Sequence, residues 1–146
     1  MADGIARARL VIGLVALAVA GCRRGDAPEP VAFDREPCAH CRMLISDPAF
    51  AAQLQTEAGE ILDFDDPGCL MRYRQEHAPR VRAVWYHHLR EERWLRESAT
   101  AFVPVPRTPM GWGLGAVDGG SAGALALAQA EAIVRERAAA QPEDTP

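Results

Sequence analysis

A chain of 146 residues with 49% hydrophobic content has enough apolar material for one compact domain or two small linked lobes. Its formal charge is −4, and all 16 of its basic residues are arginine, with no basic cluster among them. That balance gives no reason to expect nucleic-acid binding.

The chain opens with Arg7 and Arg9, then an uncharged apolar run from Leu10 to Ala20 that stops at Val19-Ala20-Gly21-Cys22. A run this short falls below the roughly 20 residues a membrane-spanning helix needs. A basic start, a short apolar stretch and small residues at its end read as a signal peptide over residues 1–21. The small pair before Cys22 resembles a lipobox, in which the cysteine is acylated. The chain is therefore expected at the bacterial cell envelope, lipid-anchored and periplasm-facing. Arg23, rather than Asp, after the cysteine resembles an outer-membrane destination. Residues 22–36 then read as a lipid-anchored, flexible tether, rich in charge and proline.

Folded structure is expected from Pro37 to Ala139. Phe50 to Thr56 alternates and reads as a strand, Ala58-Gly59 as a turn, and Glu60 to Phe64 as the second arm of a hairpin. Asp66-Pro67 starts a helix, with Asp66 capping free amides and Pro67 at the first helical position, ending near His77. Val81 to His87 is a further strand. Arg93 to Arg96 and Ala101 to Val105 are short β-like runs. Pro104 to Gly115 is a Pro- and Gly-rich loop, and Ser121 caps a helix over residues 122–139. The fold class is α+β, with two small ββαβ-like lobes at about 37–89 and 90–139 and a tail over 140–146.

The chemistry concentrates in Cys38-Ala39-His40-Cys41-Arg42-Met43. In an extended segment Cys41 and Met43 project from one face. A thiolate and a thioether meeting there select Cu(I) over harder ions. Three other readings stay open. Cys38 and Cys41 can form a thiol–disulfide redox pair, although such a pair is expected after a strand rather than before one. They can form a structural disulfide. They can be half of a zinc site, for which no second pair has the right spacing, since the adjacent His87 and His88 point apart on a strand. Cys69 reads as a small buried residue or, near a helix start, as a reactive thiol beside the site. Asp63 and Asp65 are expected at the surface. Trp85, Trp94 and Trp112 are expected in the core or between lobes. No general acid–base pair and no Ser–His arrangement points to an enzyme.

Residues 38–53, Cys-Ala-His-Cys-Arg-Met-Leu-Ile-Ser-Asp-Pro-Ala-Phe-Ala-Ala-Gln, resemble the opening motif of the NosL family of nitrous oxide reductase accessory lipoproteins. Gly59-Glu60 with Phe64-Asp65-Asp66-Pro67-Gly68-Cys69 is similar to that family's next block, and Thr108-Pro109-Met110-Gly111-Trp112-Gly113 to its late Pro-Met-Gly loop. The resemblance implies a fold of two small ββαβ lobes. It also implies a Cu(I) chaperone, not an enzyme, that serves assembly of a copper enzyme such as nitrous oxide reductase with an ABC-type transporter complex. Cys41 and Met43 match the Cys-x-Met of the family's copper ligands. Cys38 and Cys69 place the chain among the broader relatives. Met110 and His40 are candidates for a third donor, each weighed against a role in packing or as a bystander.

Overall fold

The computed structural model describes residues 27–141. The expected signal peptide, Cys22, the start of the tether and residues 142–146 lie outside these. Among the described residues the fold is α+β, with two α-helices and two antiparallel sheets. In chain order the elements are β1 (Ala52–Thr56), β2 (Ile61–Phe64), α1 (Pro67–His77), β3 (Val81–His87), β4 (Trp94–Arg96), β5 (Thr100–Pro104), β6 (Leu114–Asp118) and α2 (Leu127–Ala140). A four-stranded sheet has the order β2-β1-β3-β4, and β5 and β6 form a second sheet. Among the described residues no helix is long and apolar enough to cross a membrane.

The hairpin turns where expected, at Gly59, whose φ of 88° is open to glycine without a Cβ penalty. Asp66 caps α1 by accepting the Gly68 amide at 2.9 Å, and Pro67 holds the first helical position. The helix ends at Ala78, in the left-handed region at φ 43°, with Pro79 preventing its continuation. β1 is buried on both faces. Ala52 and Leu54 pack into the apolar core with Phe64, Leu70, Val84 and Tyr86, each large side chain contributing about 1.5–3 kcal/mol.

The opposite face of β1 carries Gln53 and Gln55, and the N-terminal segment covers it. The Gln53 amide accepts from the Glu29 N–H at 2.8 Å and donates to the Glu29 carbonyl at 3.0 Å. Gln55 donates to the Ala27 carbonyl at 3.2 Å. Further on, Asp34 N donates to Ile45 O at 2.8 Å and Ile45 N to Glu36 O at 2.9 Å. The described part of the expected tether, residues 27–36, is therefore fastened along the sheet. Its polar composition hid this because the bonds engage its backbone, which carries no sequence signal.

Four other elements differ from expectation. β1 begins at Ala52 because Asp47 caps a single 3-10 turn over Pro48–Phe50. β6 (Leu114–Asp118) begins in the last two residues of the expected loop and runs beyond it. Gly115 weakens its strand signal, yet a Cβ there would lie 2.8–2.9 Å from the end of the Leu89 side chain, so the glycine lets Leu89 pack closely against the strand. α2 starts at Leu127 rather than at 122. Ser121 is held in a turn, its hydroxyl donating to Asp118 O at 2.7 Å, and Leu125 exchanges backbone bonds with Phe102 at 2.7 and 2.9 Å. With Ser121 committed, the cap is Ala126, whose amide donates to the Gln129 side chain at 2.9 Å. β4, which the sequence reading assigns to the second unit, pairs with β3 of the first.

Candidate metal centre

Residues 37–44 form a narrow loop closed by a bridge between Pro37 and Leu44. Inside it Cys38 N donates to Met43 O at 2.8 Å and Arg42 N to Cys38 O at 3.1 Å. Ala39 N donates to Asp63 O at 2.8 Å, fixing the loop to the end of β2. Two residues beyond β2, Asp66 starts α1 and puts Cys69 in its first turn. The result is that the Sγ atoms of Cys38, Cys41 and Cys69 all lie within 4.8 Å of one another. All three are free thiols; Cys38 and Cys69 are buried and Cys41 is half-buried.

This trio has the geometry to hold a metal ion. With a metal–sulfur bond of about 2.3 Å, three sulfurs around one ion sit about 4 Å apart. Closure onto an ion therefore needs only a small contraction. The group contains no histidine or carboxylate, so it is an all-sulfur, three-donor set.

The electrostatics of the three thiols differ. The Cys69 S–H donates to Cys38 and, with the amides of Asp65, Cys41 and His40, brings the Cys38 thiol down from 9.0 to about 5 against the opposing effect of burial. The Cys69 thiol, as donor to Cys38 and as a buried group, is held far above its ordinary value. Cys41 is pushed up to about 11, chiefly by burial, although the Met43 amide donates to it. At neutral pH the trio thus carries one thiolate and two protons, and uptake of an ion as a full thiolate set releases those protons.

The other candidate residues surround this trio in different ways. Arg42 has a φ of 67°, so the chain turns between Cys41 and Met43 instead of running extended. Cys41 points inward, while Met43 is 59% exposed. Met110 is 37% exposed, and its amide donates to Asp66 Oδ2 at 3.2 Å. The Pro-Met-Gly loop is therefore fastened to the first turn of the helix that carries Cys69. His40 Nδ1 lies 3.4 Å from Glu76 Oε2 near the end of α1.

Two expectations about the acidic residues change. Asp65 is buried and Asp63 half-buried, where a surface position was expected. The Asp65 carboxylate accepts the Ser46 amide at 3.2 Å and Asp63 accepts from Gln53 at 2.8 Å. Burial raises the pKa of both. They became buried because the cysteine loop and the N-terminal segment pack over the end of β2, a contact between distant parts of the chain. Cys69 also gains weight. The Asp-Pro helix start placed it in the first turn, but no local pattern aimed that turn at Cys38.

A second cluster, His88, Glu91 and Asp118, was not anticipated. His87 and His88 do point apart, His87 stacking edge-on against Trp94 at 5.3 Å. His88 Nε2 lies 4.0 Å from Glu91 and 3.8 Å from Asp118. Its Nδ1, however, accepts the amides of Arg90 and Glu91 at 3.2 and 3.1 Å. That fixes the proton on Nε2, which removes the lone pair a metal would need. Arg93 already neutralises both carboxylates, at 2.6 Å from Glu91 and 2.5 Å from Asp118. The cluster is an electrostatic tie between the end of β6 and the connection from β3 to β4.

Comparisons of the chain with protein-family models, with curated proteins and with solved structures return no significant match.

Proposed function

We propose that this protein is a Cu(I) carrier of the bacterial cell envelope, anchored by a lipid on Cys22, and not an enzyme. The observation that carries the reading is the convergence of Cys38, Cys41 and Cys69, one of them half-open to solvent. An all-sulfur donor set favours a soft monovalent ion. Structural zinc takes four ligands, and the group offers three. The half-exposed Cys41 supplies a point where an incoming ligand can displace a bound one, so copper passes by exchange. The exposed thioethers of Met43 and Met110 are further soft donors for that exchange. The client is a copper enzyme such as nitrous oxide reductase, reached together with an ABC-type transporter complex. This part of the reading rests on the NosL-like motifs alone.

The test is an anaerobic Cu(I) titration of the reduced chain against a chromophoric chelator. Cys22 is replaced by Ala, leaving Cys38, Cys41 and Cys69 as the thiols. Uptake of one Cu(I) per chain, abolished by Cys41→Ser, is the expected result, with Met43→Leu slowing transfer of the ion to the chelator. A chain that never competes with the chelator, yet cycles reversibly between a Cys38–Cys41 disulfide and its thiols, would instead be a thiol–disulfide redox protein.

A further inference from the structure

Asp66 does more than cap a helix. Its Oδ1 accepts the Gly68 amide at 2.9 Å and its backbone carbonyl accepts the Cys69 amide at 2.9 Å. Its Oδ2 turns the other way and accepts the Met110 amide at 3.2 Å from a loop 44 residues further on. The Thr108 hydroxyl and the Trp112 amide also donate to this carboxylate. The residue is fully buried.

Helix capping alone does not call for this. Serine, asparagine or threonine would accept the Gly68 amide about as well, without placing a charge-bearing group out of reach of water. The second oxygen is what aspartate adds, and that oxygen goes to the Met110 loop. The same loop is pressed onto the same turn by Trp112, since a Cβ on Gly68 would lie 2.1 Å from the Trp112 ring. Arg137 holds the Trp112 carbonyl from the α2 side.

We infer that Asp66 is a positioning residue that joins the Met110 loop to the Cys69 turn, so that the thioether closes over an ion held by the thiols. This rests on the Cu(I) reading above. Asp66 itself touches no copper. It sets the distance between a thiol on α1 and a thioether in the loop between β5 and β6, two groups that no shared element connects. Release of Oδ2 would free the loop while leaving the helix capped.

Two variants separate the roles of the two oxygens. Asp66→Asn and Asp66→Ser each keep an N-cap acceptor but lose one carboxylate oxygen. In the full chain, both are expected to raise the rate of Cu(I) loss to a chelator roughly tenfold, the scale of one buried hydrogen bond left unmade. Exchange of the Met110 amide with deuterium should accelerate in the metal-free protein as well. The decisive comparison is a double-mutant cycle with Met110→Leu. If Asp66 acts through Met110, its substitution adds nothing further to copper loss in the Met110→Leu background. A full additional effect in that background would mean that Asp66 acts through Cys69 alone, and would overturn the proposal. Unchanged copper loss in both Asp66 variants would do the same while leaving the carrier reading intact. Failure of the unsubstituted chain to take up Cu(I) would remove the carrier reading, and this proposal with it.

Discussion

Replacing Cys69 by Ala tests the charge distribution inside the thiol trio. The Cys69 S–H is the largest influence holding Cys38 at about 5, so its removal should return Cys38 toward 9.0. In the unfolded chain Cys38 keeps its proton until about pH 9. Between about 5 and 9 the unfolded state therefore binds one proton more than the native state, and stability rises with pH at about 1.4 kcal/mol per unit. The contribution is complete above the unfolded value and is lost as pH falls through about 5. At pH 7 it amounts to ~3 kcal/mol. Cys41 and Cys69, whose values are raised, act in the opposite direction and only above pH 9. Urea unfolding of the metal-free, reduced protein at several pH values measures the slope. Ultraviolet thiolate absorbance counts the ionised sulfurs at neutral pH. The parent protein should show one thiolate and a rising slope, and Cys69→Ala should show neither. Equal slopes in the two proteins, or a Cys38 thiolate that survives in Cys69→Ala, would refute the argument.

Gly68→Ala drives a methyl into the Trp112 ring, 2.1–2.7 Å from its nearest atoms. A loss of about 1–3 kcal/mol with a changed Trp112 fluorescence spectrum is expected, and an unchanged spectrum would count against the packing. Gln53→Ala removes the side chain that pairs with both backbone groups of Glu29 and with Asp63. It should cost on the order of 1–3 kcal/mol and open residues 27–36 to limited proteolysis, whereas the parent resists cleavage there. His88→Ala strands the amides of Arg90 and Glu91, with a similar loss of stability read from thermal unfolding. The same substitution should leave the affinity for divalent ions unchanged, because the Nε2 proton already excludes them.

Much of the framework can be read from local sequence because local chemistry decides it. Asp66-Pro67 specifies a helix start through a cap acceptor and a fixed φ. Ala78-Pro79 ends that helix, and Gly59 turns the hairpin. Cys38, Cys41 and Met43 stand out because soft donors crowd into six residues. What local sequence does not carry is the partner of each group. β6 was hidden by Gly115, whose missing side chain makes room for Leu89. The start of α2 was misplaced because Ser121 is used by a turn before it can cap a helix.

The sequence by itself determined where α1 and the hairpin β1-β2 form, that sulfur chemistry lies between residues 38 and 43, and that Asp66 caps a helix. The periodicities and capping patterns that encode these act over a few residues. Only the tertiary structure decided that Cys69 is the third sulfur, that Arg42 turns Met43 outward, and that the second oxygen of Asp66 reaches Met110. Those outcomes depend on packing the cysteine loop against the end of β2 and the late loop against α1. Burial is shared across the whole core, so no short segment encodes it.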